Sequence, residues 1–344
     1  MIEREKWELY SEDKKNFNSK CCLSPKSFKI NCSKKIVKAH TVPRAKGLKE
    51  IARNNHVYSF HSSIEKIENS FSFLKPTSIG INRASTFTGF CSKHDNAIFS
   101  PLEKVSFDIT NKEQLFLLIY RSFSREFYMK RAQNASTKLY EEFFNATGIV
   151  DEFQAYQDSV EAGHSDNLKY KDIIDDMLVK KNFSDVRGYV ILFKKTQPIM
   201  CSGRFYPEQD FNGNNLQDIT NLDIIPSAIN ITSFYDSSIG GVIVFTWLEN
   251  ENNVCSKFIS SLDEIRSTDQ HRLTSAILRL FFSHIDNLHI SPNWWDDLEE
   301  EKKTYLTNRL ADSADLQKDR ECGYLSEDDI DFIAWEVDKV MKVS

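Results

Sequence analysis

No stretch of this chain approaches the eighteen or so uninterrupted apolar residues that a membrane span needs. The opening residues, MIEREKWELY, are charged from position 3 and contain no apolar secretory segment. These two absences set the expectation of a cytoplasmic protein that does not enter a membrane. A disulfide framework is also missing: the seven cysteines are odd in number and not spaced as pairs. In a reducing compartment they read as buried thiols or metal ligands. Cys201, Cys255 and Cys322 are scattered singly and read as small hydrophobes. Cys21, Cys22, Cys32 and Cys91 crowd into the first hundred residues. No internal repeat or low-complexity linker marks a domain boundary.

What is present is an uneven distribution of charge. Residues 1–105 hold 19 Lys and Arg against 10 Asp and Glu, a balance of +9, while the remainder holds 25 against 40, a balance of −15. A basic module joined to an acidic one implies that the first meets a polyanion. At 344 residues, two domains are the default, and the change in charge and helix content places the division at 1–105 and 106–344. The first 20 residues read as a short helix or loose arm. Beyond them, Thr110-x-x-Glu113 has the form of a capping box opening the long helical pattern NKEQLFLLIYRSFSREFYMKRAQNA. Helical pattern continues through TKLYEEFFNATG and KYKDIIDDMLVKK. From Gly188 the segments GYVILFKK, PIMCSG, GGVIVFTWLE and NVCSKFISS read as strands of a mainly antiparallel sheet. Three closing helices are expected over STDQHRLTSAILRLFFSHI, PNWWDDLEEEKKTYLTNRL and, behind Ser326-x-x-Asp329, SEDDIDFIAWEVDKVM. The fold class is therefore α+β, with a small zinc-containing N-terminal module and a larger domain of sheet and helices.

The zinc expectation comes from spacing. Cys91-x2-His94 has the separation at which one tight turn presents two ligands to a single ion, and Cys22 and Cys32 can complete a closed Cys3His tetrahedron. Cys21 is an equal alternative to its neighbour Cys22. Upstream of the pair, the run KIVKAHTVPR puts His40 at the end of a β-branched segment and before a proline turn.

The order Cys…Cys…AHTVPR…FCSKHDNAIF resembles the His-Asn-His nuclease family, the ββα-metal fold, over about residues 20–105. The resemblance implies a histidine base at a strand end, His40, followed by the turn proline Pro43. It makes Cys91 and His94 the second half of a structural zinc site. It places Asp95 where the family carries a ligand of the catalytic Mg2+ or Mn2+, with His94 as the alternative ligand. Ala39 stands where many members have a metal-binding Asp, and Asn82 is the nearest match to the middle Asn. Nucleases of this kind with large C-terminal domains resemble bacterial anti-phage effectors, in which the second domain senses a trigger or docks a protein or ligand.

The chemistry is coherent on residue types alone. Phosphodiester hydrolysis needs a base for water, which a neutral imidazole supplies near neutral pH. It also needs a cation at the developing charge, and a hard carboxylate such as Asp95 suits Mg2+. Lys38, Arg44 and Lys46, within a wider set of Lys34, Lys35, Lys49 and Arg53, can hold phosphates without reading sequence. The expected activity is metal-dependent endonucleolytic cleavage of DNA, with RNA as the lesser substrate. Two other readings compete: a non-catalytic zinc module that binds nucleic acid or protein, and a small-ligand site in the acidic domain. His56 and His61 read as surface loop residues, and His164, His271, His284 and His289 as isolated ones. Of Trp294 and Trp295, one ring is expected in the core. The loop YPEQDFNGNN reads as a hairpin connection.

Overall fold

The structure, a computed structural model, describes residues 3–42, 47–60, 75–147, 150–314 and 320–344. Its centre is an eight-stranded sheet in the order β10-β5-β8-β7-β6-β9-β2-β3. The strands are β2 (His56–Ser59), β3 (Thr77–Gly80), β5 (Val186–Phe193), β6 (Ile199–Phe205), β7 (Ile229–Asp236), β8 (Gly240–Leu248), β9 (Leu288–Ile290) and β10 (Val337–Val343). Every pairing in it is antiparallel. β1 (Ile36–His40) and β4 (Thr86–Cys91) form a separate antiparallel ribbon.

Helices cover both faces of the large sheet, and the strand period decides which side chain meets which layer. Along β5, Val190 and Leu192 join the core under the long helices, while Tyr189, Ile191 and Phe193 join the opposite core. Burial of both faces makes these strands read as continuous apolar runs, without alternation. The first layer is built by the Lys112–Thr147 and Val150–Lys180 helices. The second contains the Asn252–Thr268 and Gln270–His284 helices. Gly240 closes the β7–β8 turn at a φ of +87°, where an added Cβ would lie 2.6 Å from the Phe193 carbonyl oxygen.

Three local expectations are corrected. NVCSKFISS lies within the Asn252–Thr268 helix: Cys255, Phe258, Ile259 and Leu262 fall on one helical face, which is buried. SEDDIDFIAWEVDKVM is not helical; it runs as an irregular segment into β10, pinned by the buried Arg279, which donates to the Leu325 carbonyl and pairs with Asp328. The Thr110 capping box does not form either. Thr110 donates to Asp108, and the helix start is capped by Asn111, whose side-chain oxygen accepts from the Gln114 amide. Trp295 is buried and Trp294 partly so, as the sequence requires. PNWWDDLEEEKKTYLTNRL forms two helices, Pro292–Asp297 and Glu300–Ala314.

Residue 105 marks a change of charge rather than a gap in the packing. β2 and β3 belong to the large sheet, with Tyr58 opposite Ile290. Leu23, Phe90 and Phe99 share one core with Phe116, Tyr120 and Val190. Among the described residues, no helix is long and apolar enough to cross a membrane.

Candidate metal centre and the histidine ribbon

Four side chains converge where β4 runs into the Ser92–Glu103 helix. Cys91 ends the strand and caps the helix, which sets His94 in its first turn. The residues Cys21 and Leu23 lie alongside β4, their amides donating to the Thr88 and Gly89 carbonyls, and this brings Cys22 to the same corner. A 3-10 turn over Lys26–Asn31 then returns Cys32. One ligand atom from each of Cys22, Cys32, Cys91 and His94 lies within 4.8 Å of the other three. Among the described residues, this is the one group of three or more His, Cys, Asp or Glu side chains able to hold a metal ion.

The donor set fits zinc. Ideal tetrahedral bonds to sulfur and nitrogen put those two ligand atoms about 3.6 Å apart. Here His94 Nδ1 lies 3.3 Å from Cys22 Sγ and 3.4 Å from Cys91 Sγ. The buried Cys91 thiol is pulled down to about 6: burial opposes this, but hydrogen bonds from Ser33 and from the His94 backbone outweigh it. A thiol that ionises near neutrality is the form a metal takes. Ser24, which no sequence motif singles out, hydrogen-bonds His94 Nδ1 at 2.9 Å. Cys21 is excluded from the group; its thiol faces the Thr88 carbonyl and Arg131, and burial raises its pKa.

His40 occupies the opposite end of the ribbon. It pairs with Thr86, whereas Cys91 pairs with Ile36. Four residues of β1 separate the two ends, roughly 13 Å at 3.3 Å per residue, and β4 spans the same interval with one residue more, at a register irregularity between Val37 and Ala39. Ile36, Lys38 and His40 alternate onto one face, while Ala39 turns into the core at 3% exposure. The half-buried ring of His40 lies with Nε2 3.2 Å from the Ile81 carbonyl. The carbonyl can only accept, so Nε2 carries a proton and the contact orients the ring. Asn82, the nearest match to a middle Asn, is the next residue along.

Immediately beyond His40 the chain is locked to the large sheet. Asn287 donates to Thr41 Oγ1 at 2.8 Å, to Ser85 Oγ at 3.1 Å and to the Ser202 carbonyl at 3.0 Å, and it accepts from His289 Nε2. His289 is thus a member of a buried network and not an isolated residue. His284 also has partners, Tyr324 and Arg320.

Asp95 does not join His40. It sits in the first helical turn beside the cysteine cluster, and its charged neighbours are Arg121, Glu103 and Cys91. Burial raises its pKa, and Arg121 acts against that rise. The described side chains therefore do not fit a Mg2+ shared by His40 and Asp95. Of the expected phosphate contacts, Lys38 is exposed on the His40 face. Arg44 and Lys46, like Pro43 and His61, lie outside the described residues. Arg53 is occupied by Asp296 at 2.7 Å. His56 is exposed at the start of β2. The YPEQDFNGNN loop closes on itself, with Asp210 accepting from the Asn212 and Asn214 amides.

No family model, curated protein or solved structure matches this chain.

The geometry thus offers two separate chemical features on one ribbon: a ligand set for a thiophilic ion and an oriented histidine.

Proposed function

We propose that the chain is a zinc-stabilised phosphodiester hydrolase of the His-Asn-His plan, acting on DNA through His40. The observation that carries this reading is the histidine itself. It ends the first strand of a ribbon whose second strand enters a helix, and a carbonyl holds its ring while a metal-ligand cluster closes the ribbon's other end. His40 takes a proton from water as the water oxygen bonds to phosphorus and the bond to the leaving oxygen breaks, and that oxygen takes up a proton from solvent. Lys38, on the same face, holds a phosphate against the ribbon. Cys22, Cys32, Cys91 and His94 hold a structural zinc ion that fixes the strand–helix corner. The acidic remainder contributes the other six strands of the sheet that anchors the ribbon.

A second reading is supported by Asp95 and Ala39. With the carboxylate set beside Arg121 and position 39 buried as alanine, the ribbon serves as a non-catalytic, zinc-stabilised nucleic-acid-binding module. A plasmid-nicking assay with Mg2+ or Mn2+, run beside His40→Ala, decides between them. Nicking by the parent and none by the variant, at equal zinc content and equal DNA affinity, supports the hydrolase. Equal nicking by both removes His40 from the chemistry. DNA binding without any nicking favours the second reading.

A further inference from the structure

A cavity of about 240 Å³ opens between the Glu300–Ala314 helix and the segment after Arg320. It lies in the acidic part of the chain and is independent of the ribbon. Two hydrogen-bonded chains build its floor. In the first, Tyr305 donates to Asp328, and Arg309 donates to Tyr305 at 2.7 Å, to the Tyr324 carbonyl at 2.7 Å and to Asp328 at 3.1 Å. In the second, Arg320 pairs with Glu208 at 3.2 Å and lies 2.9 Å from the His284 ring, which is bonded to the Tyr324 hydroxyl at 2.6 Å.

These partners hold both guanidinium groups in fixed orientations at the cavity wall. Their side chains are only 16% and 29% exposed, so an incoming group meets them with little bulk water between. Burial, reinforced by Arg320, keeps His284 neutral by lowering its pKa well below the usual range, so it adds no charge. Of the nine lining residues, only Asp312 and Glu321 lack a side-chain donor, and both are exposed at the rim. A site where donors dominate and two arginines are pre-oriented selects an acceptor-rich group.

We propose that this cavity binds a small oxyanion-bearing molecule, with its phosphate or carboxylate held between Arg309 and Arg320 and flanked by Tyr305 and Tyr324. The volume equals that of about eight waters at ~30 Å³ each. It falls just below the ~300 Å³ at which pockets for drug-sized ligands begin. The occupant is therefore a compact metabolite-sized anion, such as a phosphorylated sugar, and not an oligonucleotide.

The test is calorimetric titration of the zinc-loaded full chain with inorganic phosphate, ribose 5-phosphate and acetate, which separates phosphate from carboxylate heads. Arg320→Gln removes one charged donor and should weaken binding roughly tenfold to a hundredfold. Because Arg320 also supports its surroundings, Asn308→Asp is the companion. It adds a carboxylate to the wall at an exposed helical position and should weaken binding about tenfold without affecting the fold. Asn212→Asp, on the distant Asp210 loop, should leave affinity unchanged. Saturable binding of any of the three probes with this variant pattern supports the site. No saturable binding at millimolar concentration, or equal affinity in Asn308→Asp and parent, overturns it.

Discussion

Removing the metal from the Cys3His corner should free one short segment and leave the rest of the molecule folded. The 3-10 turn Lys26–Asn31 has no buried residue, and Ile30 at its tip is 90% exposed. Apart from a few hydrogen bonds and the contact of Phe28 with the His94 ring, the clamp on residues 26–35 would be an ion joining Cys22 and Cys32 to Cys91 and His94. The surrounding core does not depend on it, because Leu23, Phe90 and Phe99 pack against Phe116 and Tyr120. An ion present at a hundred times its dissociation constant stabilises the closed form by about 2.7 kcal/mol. Chelation should therefore raise the open population of this segment about a hundredfold. Lys26, Lys29, Lys34 and Lys35 make it a tryptic target. Limited trypsin digestion, with and without a zinc chelator, should give fast cleavage within 26–35 on chelation, with a thermal midpoint that falls far less than global unfolding would require. Cys91→Ser should behave as the chelated parent does. An unchanged tryptic pattern in both, or zinc retained at one per chain in Cys91→Ser, would refute the assignment.

Other outcomes follow from the same geometry. Asp95→Asn should keep its zinc and change stability by less than about 1 kcal/mol, since the amide needs no counter-charge beside Arg121; loss of divalent-ion-dependent nicking at full zinc content would return Asp95 to the reacting centre. Glu251→Gln strips the carboxylate from Arg204, a pair whose side chains are 6% and 2% exposed. Unpairing a buried charge costs about 3–5 kcal/mol, so the urea midpoint should drop with an unchanged slope, and a shift below 1 kcal/mol would show that Glu126, whose charge also acts on Arg204, suffices as counter-ion. DNA affinity of the full chain should fall steeply with salt, and Lys38→Gln should flatten the log–log slope by about one unit; an unaltered slope would take Lys38 off the phosphate path.

The candidate metal ligands were legible because their chemistry is local. Cys91 and His94 share one turn, and a strand running into a helix sets their separation whatever surrounds them. Choosing Cys22 over Cys21 required the third dimension, namely which of two adjacent side chains faces the corner. The surroundings of Asp95 required it for a related reason: its position beside the pair is visible in sequence, but the direction of a helical side chain relative to the far end of the ribbon is not. The long helices and strands β5, β6 and β8 were clear from their periodicity or apolar runs. Cys255 to Leu262 misled because a short apolar stretch fits either period until its full helical face is counted. The segment after Ser326 misled differently, since helix-favouring residues are held extended there by Arg279 and by pairing with β5.

The joining of β2 and β3 to β9 has a consequence during synthesis. Ser59 donates to the Leu288 carbonyl across a sequence gap of 229 residues. At 5–20 residues per second, the ribosome needs roughly 10–50 s to make that interval. Until then the β2–β3 hairpin has no neighbouring strand, and Thr41 and Ser85 lack the amide of Asn287. All four candidate metal ligands, Cys22 to His94, are made long before that anchorage. The ribbon's anchorage arrives only once residue 287 has been made, so His40 gains its final setting some 246 residues after its own synthesis.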